Sequence, residues 1–363
     1  MTREDFREAE SHLREGNALR SAGRVADAIE AYRRAVAAAP RGPAGHYNLA
    51  IALRDARRWR EAVLSFREAL RLSGGKDFDA MQNVVATIAA AIDAEAPRLF
   101  PREQPAATPG ELASVSIVVC SIRPAMLEAM RRSFIEALGP REHEFVVIED
   151  ARSLCEGYQR GLERSRHGIV VFSHDDVELI SPGPFEALDR ALESHDVVGL
   201  AGSDLVRGPA VMWAGHPHLR GFVAMPVDGD PAAIDTSTFA LECGGLGGMQ
   251  ALDGFWFAAR REAALAVGFD GATFDGFHFY DLDFTYRAHL AGLRVAVTTD
   301  IVCLHKSHGS FDANWQRYAA RFTAKFPQLD GVHGPNPHFN ARLASRDNAL
   351  RLYEELRGLA ATP

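Results

Sequence analysis

GIVVFSHDDVEL, residues 168–179, joins an unbroken apolar run to a cluster of ionisable side chains. A short β-branched run with polar ends predicts a strand buried on both faces. Runs of the same kind recur as VSIVVCS (115–121), EFVVIED (144–150), DVVGLAG (196–202) and LRVAVTT (293–299). Between them, AMLEAMRRSFIEAL and CEGYQRGLERS carry helical spacing. Such alternation predicts a Rossmann-like α/β domain, a mostly parallel sheet flanked by helices. Ligands of such sheets bind beyond the carboxyl ends of the strands, which is where His174, Asp175 and Asp176 fall.

Two adjacent carboxylates straight after an apolar strand are costly to hold together without a positive partner. A divalent cation bound to a diphosphate is one such partner, since hard cations take oxygen ligands. A solvated turn with an Asp capping the next helix is the other reading. Downstream, FDGFHFYDLDFTYRA (274–288) sets Asp281 and Asp283 among aromatic residues at a helix start. Apolar neighbours raise a carboxylate's pKa and a helix N-terminus lowers it. A carboxylate so placed accepts a proton from a hydroxyl or caps the helix. LHKSHGS (304–310) follows an apolar run and holds His305 and His308. Their imidazoles suit a metal shell begun by a carboxylate, or a hydrogen-bonding loop. The run Gly244–Gly248 lacks the Lys and the spacing of a phosphate loop, so it reads as a loop closing over a bound donor or as a plain turn. Trp315, Tyr318, Phe322 and Phe326 recur at helical spacing and read as a core stripe.

In this order, a carboxylate pair, an acidic helix start and a downstream His resemble glycosyltransferase family 2. More narrowly they resemble its branch with an "fHfYDxDl" signature. The segments that carry the likeness are SLCEGYQRGLERSRHGIVVFSHDDVEL, ALDGFWFAARREAA, YDLDFTYRAHLAGLRV and LHKSHG, within about residues 114–326. The resemblance implies a GT-A fold and a nucleotide-sugar donor, UDP-linked by preference, with Mn²⁺ or Mg²⁺. Asp176 would ligate the metal with His305, and His308 would be the substitute. Asp175 would sit near the ribose or diphosphate, and Ser121 (with Cys120) and Asp150 near the nucleotide. Trp256 and Phe257 would line the sugar or acceptor pocket. Asp281 would be the general base and Asp283 the acid that orients it or holds the acceptor, giving one displacement with inversion. His174 stands where relatives carry Asp, and Glu149-Asp150-Ala151-Arg152-Ser153 replaces their Asp-Asp-Gly-Ser. The alternatives are a sugar-nucleotide-binding scaffold without turnover and a nucleotidyltransferase.

The N-terminal third repeats itself at 34 residues, pairing Gly16 with Ala50, Ala28 with Ala62, Tyr32 with Phe66, Ala35 with Ala69 and Pro40 with Gly74. That period resembles the tetratricopeptide repeat, whose small and aromatic residues fall where two helices cross. The expected domains are repeats with a capping helix over 1–97, a Pro-rich linker over 98–113, the GT-A domain over 114–330 and a C-terminal helical tail over 331–363. The repeats would dock a protein or glycan acceptor or join two copies of the chain.

Composition narrows the class further. The 363 residues are 47% hydrophobic and 24% charged, with 48 acidic against 40 basic side chains for a net charge of −8. An acidic balance argues against nucleic acid as a partner. The first residues are charged and no run approaches a membrane span, so the chain reads as cytoplasmic. The cysteines at 120, 155, 243 and 303 are widely spaced and read as free thiols.

Overall fold

The computed structural model describes residues 3–75, 77–102, 113–208, 216–307, 309, 311–329, 331 and 339–362. The chain divides into two units, residues 1–103 with 339–363 and residues 104–338.

The first unit opens with α1 (Arg3–Ser21), α2 (Val25–Ala38), α3 (Pro43–Asp55), α4 (Trp59–Leu72) and α5 (Phe78–Asp93), packed in sequence order. These are the helical hairpins that the 34-residue period predicts. At Gly16 an added Cβ would stand 2.5 Å from Tyr32 Cε1, so α1 and α2 cross where only glycine fits. Phe66 fills the equivalent place in the second hairpin, buried and edge-on to Tyr47 at 5.4 Å.

The second unit carries β1 (Val115–Cys120), α6 (Pro124–Leu138), β2 (His143–Ile148), α7 (Leu154–Arg164), β3 (Ile169–Ser173), β4 (Val177–Leu179), α8 (Pro184–Ser194), β5 (Val197–Gly199) and β6 (Ala201–Ser203). It continues with β7 (Leu219–Val227), β8 (Asp230–Thr238), β9 (Gly245–Gly247), β10 (Ala251–Leu252), β11 (Trp256–Arg260) and α9 (Arg261–Val267). Then follow α10 (Tyr280–Leu290), β12 (Val295–Thr298), β13 (Cys303–His305) and α11 (Ala313–Lys325). The chain ends in the first unit with β14 (Phe339–Leu343) and α12 (Arg346–Ala361).

The main sheet has the order β2-β1-β3-β11-β5-β12-β9. Pairs β1–β2, β1–β3 and β5–β12 are parallel, as an α/β domain requires. In detail the sheet is mixed, because β11 runs antiparallel between β3 and β5 and β9 runs antiparallel on the edge. Strands buried on both faces send alternate residues to opposite sides. Thus Val170 and Phe172 of β3 join the core beneath α7 and α10, while Ile169 and Val171 join the core beneath α6 and α8. Close approach of α7 depends on Gly161, where a Cβ would lie 2.2 Å from Val118 Cγ1.

A second sheet, β10-β6-β7-β13-β4 with β8 beside β7, stands next to the first. The segment expected as one strand over 196–202 breaks at Leu200, so that β5 serves one sheet and β6 the other. Within the glycine-rich run Gly245–Gly247 forms the edge strand β9 rather than a plain turn, and Gly244 N–H donates to Thr299 Oγ1 at 2.7 Å. Tyr318, Phe322 and Phe326 form the expected buried stripe. The cysteines are free.

Residues 339–362 fold back within the first unit. Helix α12 packs on α5, and the buried Glu355 carboxylate accepts from Leu99 N at 3.0 Å and Phe100 N at 2.7 Å. The segment read from sequence as a separate tail therefore completes the apolar face of the last repeat helix.

Candidate functional site

His174 directly follows β3, and its N–H donates to Phe255 O at 2.9 Å, just ahead of β11. Two residues on, Asp176 immediately precedes β4. That strand pairs antiparallel with β13, setting Val177 opposite His305. The pairing brings three distant side chains together. Asp176 Oδ1 lies 3.5 Å from His305 Nε2 and 3.9 Å from His174 Nδ1, and one ligand atom of each lies within 4.8 Å of the others. Asp176 is 2% exposed and, among the described residues, its Oδ1 has no hydrogen-bond partner. Burial alone would raise this carboxyl, but the facing His305, a bond from Ser307, His174 and Arg123 together hold it below the usual range. A buried carboxylate oxygen without a partner is costly, and two imidazoles with one carboxylate form a donor set suited to a divalent transition ion.

Asp175 has a different neighbourhood. Ser121 Oγ donates to its Oδ2 at 2.6 Å, and the Arg123 guanidinium grips both carboxylate oxygens. Arg123 also reaches Asp176 Oδ2 at 3.8 Å, so one cation spans the acidic pair. Asp150, at the end of β2, is exposed and bonds Arg160, which holds its carboxyl below the ordinary value.

A cleft of about 460 Å³ is lined by His174, His305, Asp253, Phe255, Tyr280 and Asp281, with Phe277, Phe311 and Trp315 at its apolar wall. Asp281 sits in the first turn of α10, and its Oδ2 accepts from Gly254 N at 2.7 Å. Gly254 is required there: a Cβ would come 2.1 Å from Tyr280 Oη and 2.7 Å from Asp281 Cβ. Helix α10 begins after Phe279 at φ +65°, a left-handed conformation that is strained for a bulky residue. Burial, and after it the negative charge of Asp253, push Asp281 up to about 7. Burial also raises Asp253, although the nearby His305 opposes it. Two interacting carboxylates in a half-buried cleft make one of them a proton holder near neutrality.

Not every expected residue reaches the cleft. Asp283 is fully buried on the other side of α10, with Oδ2 2.8 Å from Arg287 Nε and Oδ1 2.5 Å from Lys325 Nζ. Positions two apart on a helix point to opposite sides, so a residue facing the cleft at 281 forces 283 toward the core. Trp256 is 1% exposed in the core beneath α6 and α8, and Phe257 stacks on Phe172 at 4.9 Å in the opposite core. Phe255 takes the place in the cleft that the sequence suggested for them. His308 lies outside the described residues. The sequence reading missed His174, Tyr280, Asp253 and Arg123. The signals were weak: His174 stood out as a departure from Asp and Tyr280 as a departure from Glu, and Asp253 lay unremarked in ALDGF.

A family model described as "Glycosyltransferase like family" matches residues 116–326, and a tetratricopeptide repeat model matches residues 13–77. No curated protein matches the chain. Among solved structures, a mutant O-GlcNAc transferase from Thermobaculum terrenum aligns at 19% identity and a TM-score of 0.22, over 38% of this chain and 30% of that one. GalNAc-T7 with UDP, GalNAc and Mn²⁺ aligns at 11% identity and a TM-score of 0.38, over 55% of this chain and 44% of that one. The chain thus spans less than half the length of either. Among the described residues no helix is long and apolar enough to cross a membrane.

Proposed function

The chain belongs to the glycosyltransferase-like family, and on that premise we propose that it transfers a sugar from a nucleotide-sugar donor, UDP-linked by preference, to a hydroxyl acceptor with the help of a divalent ion. The observation that carries this reading is the cleft that holds Asp281 on one wall and the imidazoles beside Asp176 on another. Asp176 and His305 would hold the ion, whose contribution when bound is to neutralise charge on the departing diphosphate. The unpartnered Asp176 Oδ1 and the imidazole donors fit such an ion, and they favour Mn²⁺ over Mg²⁺, which prefers oxygen throughout.

The chain's own groups account for the rest. Ser121 and Asp175 mark the nucleotide end, with Arg123 fixing the carboxylate. Asp281 takes the proton from the acceptor hydroxyl, and a pKa near 7 suits a base working at neutral pH. Gly254 N–H holds the Asp281 carboxylate in position. Phe277, Phe311 and Trp315 offer apolar faces to the C–H surfaces of a sugar or acceptor. One base and one displacement invert the anomeric centre. The repeats would bring a protein or glycan acceptor to the chain.

The test is product analysis with a panel of sugar nucleotides and Mn²⁺. Release of nucleoside diphosphate and a β-to-α or α-to-β change at the transferred sugar is the expected result. Pyrophosphate release would make the chain a nucleotidyltransferase, and binding without turnover across acceptors would make it a scaffold.

A further inference from the structure

We propose that His174 is a third protein ligand of the metal centre and that Tyr280 is the residue that positions it. The inference rests on the reading above, in which Asp176 and His305 hold a divalent ion. His174 brings two nitrogens to different neighbours. Its Nδ1 faces the unpartnered Asp176 Oδ1 at 3.9 Å, and its ring lies 5.6 Å from that of His305. Its Nε2 lies 2.7 Å from Tyr280 Oη.

Ligation through Nδ1 requires the ring proton on Nε2, and that proton then needs an acceptor. Tyr280 Oη is the acceptor within reach. A metal-bound imidazole ordinarily donates its other N–H in this way, and the partner fixes both tautomer and ring orientation.

Tyr280 is itself held from several sides. It is 4% exposed, it packs edge-on to Tyr158 at 5.5 Å, and the missing side chain at Gly254 is the space its hydroxyl occupies. The left-handed Phe279 starts α10 immediately before it. The backbone of His174 is tied as well, by its bond to Phe255 O. Both ends of the hydrogen bond are thus fixed before any ion arrives, the condition for a preorganised ligand. With three ligands of which two are imidazoles, the centre selects Mn²⁺ over Mg²⁺ through His174 as much as through His305.

The experiment is titration of the full chain with Mn²⁺, alone and with UDP, read by electron paramagnetic resonance, on wild type, Tyr280→Phe, His174→Ala and Asp176→Ala. Pulsed measurements count the imidazole nitrogens coupled to the ion. Wild type is expected to show two and His174→Ala one. Tyr280→Phe keeps the ring volume, so the thermal transition is expected to stay in place while Mn²⁺ affinity falls about 10–100-fold. Two nitrogens in His174→Ala, or unchanged affinity in Tyr280→Phe, would overturn the inference while loss of binding in Asp176→Ala still upheld the wider reading. Should Tyr280→Phe fail to fold, the nitrogen count in His174→Ala decides. Wild type that binds no Mn²⁺ under either condition would remove the metal from both.

Discussion

Asp281 and Asp283 share an acidic, aromatic stretch, yet the fold gives them opposite surroundings. Asp281 opens to the cleft beside Asp253, whereas Asp283 closes a buried ion pair with Arg287 and Lys325. Their asparagine variants should separate accordingly. Asp281→Asn should lower turnover by about 10²–10⁴-fold with donor binding retained, as for loss of a general base. Asp283→Asn should leave activity per folded molecule unchanged but cost about 3 kcal/mol in denaturant unfolding, because two cations lose a buried partner. A stability loss for the first and a turnover loss for the second would reverse the assignment.

Proton linkage gives a further prediction at this scale. As the proposed base, Asp281 would act deprotonated, and with its carboxyl raised to about 7 activity should rise with pH through that value. Asp253→Asn removes the neighbouring negative charge, lowers the Asp281 pKa and should move the acid limb of the rate profile to lower pH. An unmoved limb would show that Asp253 does not face the base. The same carboxyl affects stability in a fixed direction. Its folded pKa exceeds its unfolded value of 3.8, so its stabilising contribution is complete below 3.8 and is lost as pH rises through about 7.

At the scale of elements, the sequence was legible where one side chain period or one steric contact decides the outcome. Strands β1 and β3 follow from short β-branched runs. The repeat follows from coincidences such as Gly16 with Ala50 and Tyr32 with Phe66, and the structure explains Gly16 by a crossing on Tyr32 too close for a Cβ. Gly16→Ala should therefore cost the repeat unit about 1–3 kcal/mol by overpacking, measurable as a lower thermal transition. Unchanged stability would mean that the helices separate at no cost. The rest was hidden for physical reasons. Glycines carry no strand signal, so β9 is decided by its partner β12. Both faces of β11 are buried, so alternation could not say that Trp256 points away from the cleft. Arg123 meets Asp175, and Tyr280 meets His174, only through tertiary contacts.

For the whole molecule, two observations matter most. Helix α12 completes the repeat unit: Ala349, Leu352, Tyr353, Leu356 and Leu359 form one buried face, and Glu355 satisfies two backbone N–H groups near residue 100. Ending the chain at residue 344 should strip those partners and destabilise this unit by at least about 2 kcal/mol, seen as earlier melting and dye binding to exposed apolar surface. Unaltered melting would make the helix an accessory. In the other unit, the ends of β3, β4, β11 and β13 and the start of α10 meet at a single cleft that holds the proposed base and the proposed ion. The most direct measurement is calorimetric binding of a sugar-nucleotide panel to wild type and Asp176→Ala, with and without Mn²⁺. The account predicts binding of one donor that needs Mn²⁺ and is lost in the variant. Binding that is indifferent to the metal and to Asp176, or no donor bound by the folded chain, would contradict it.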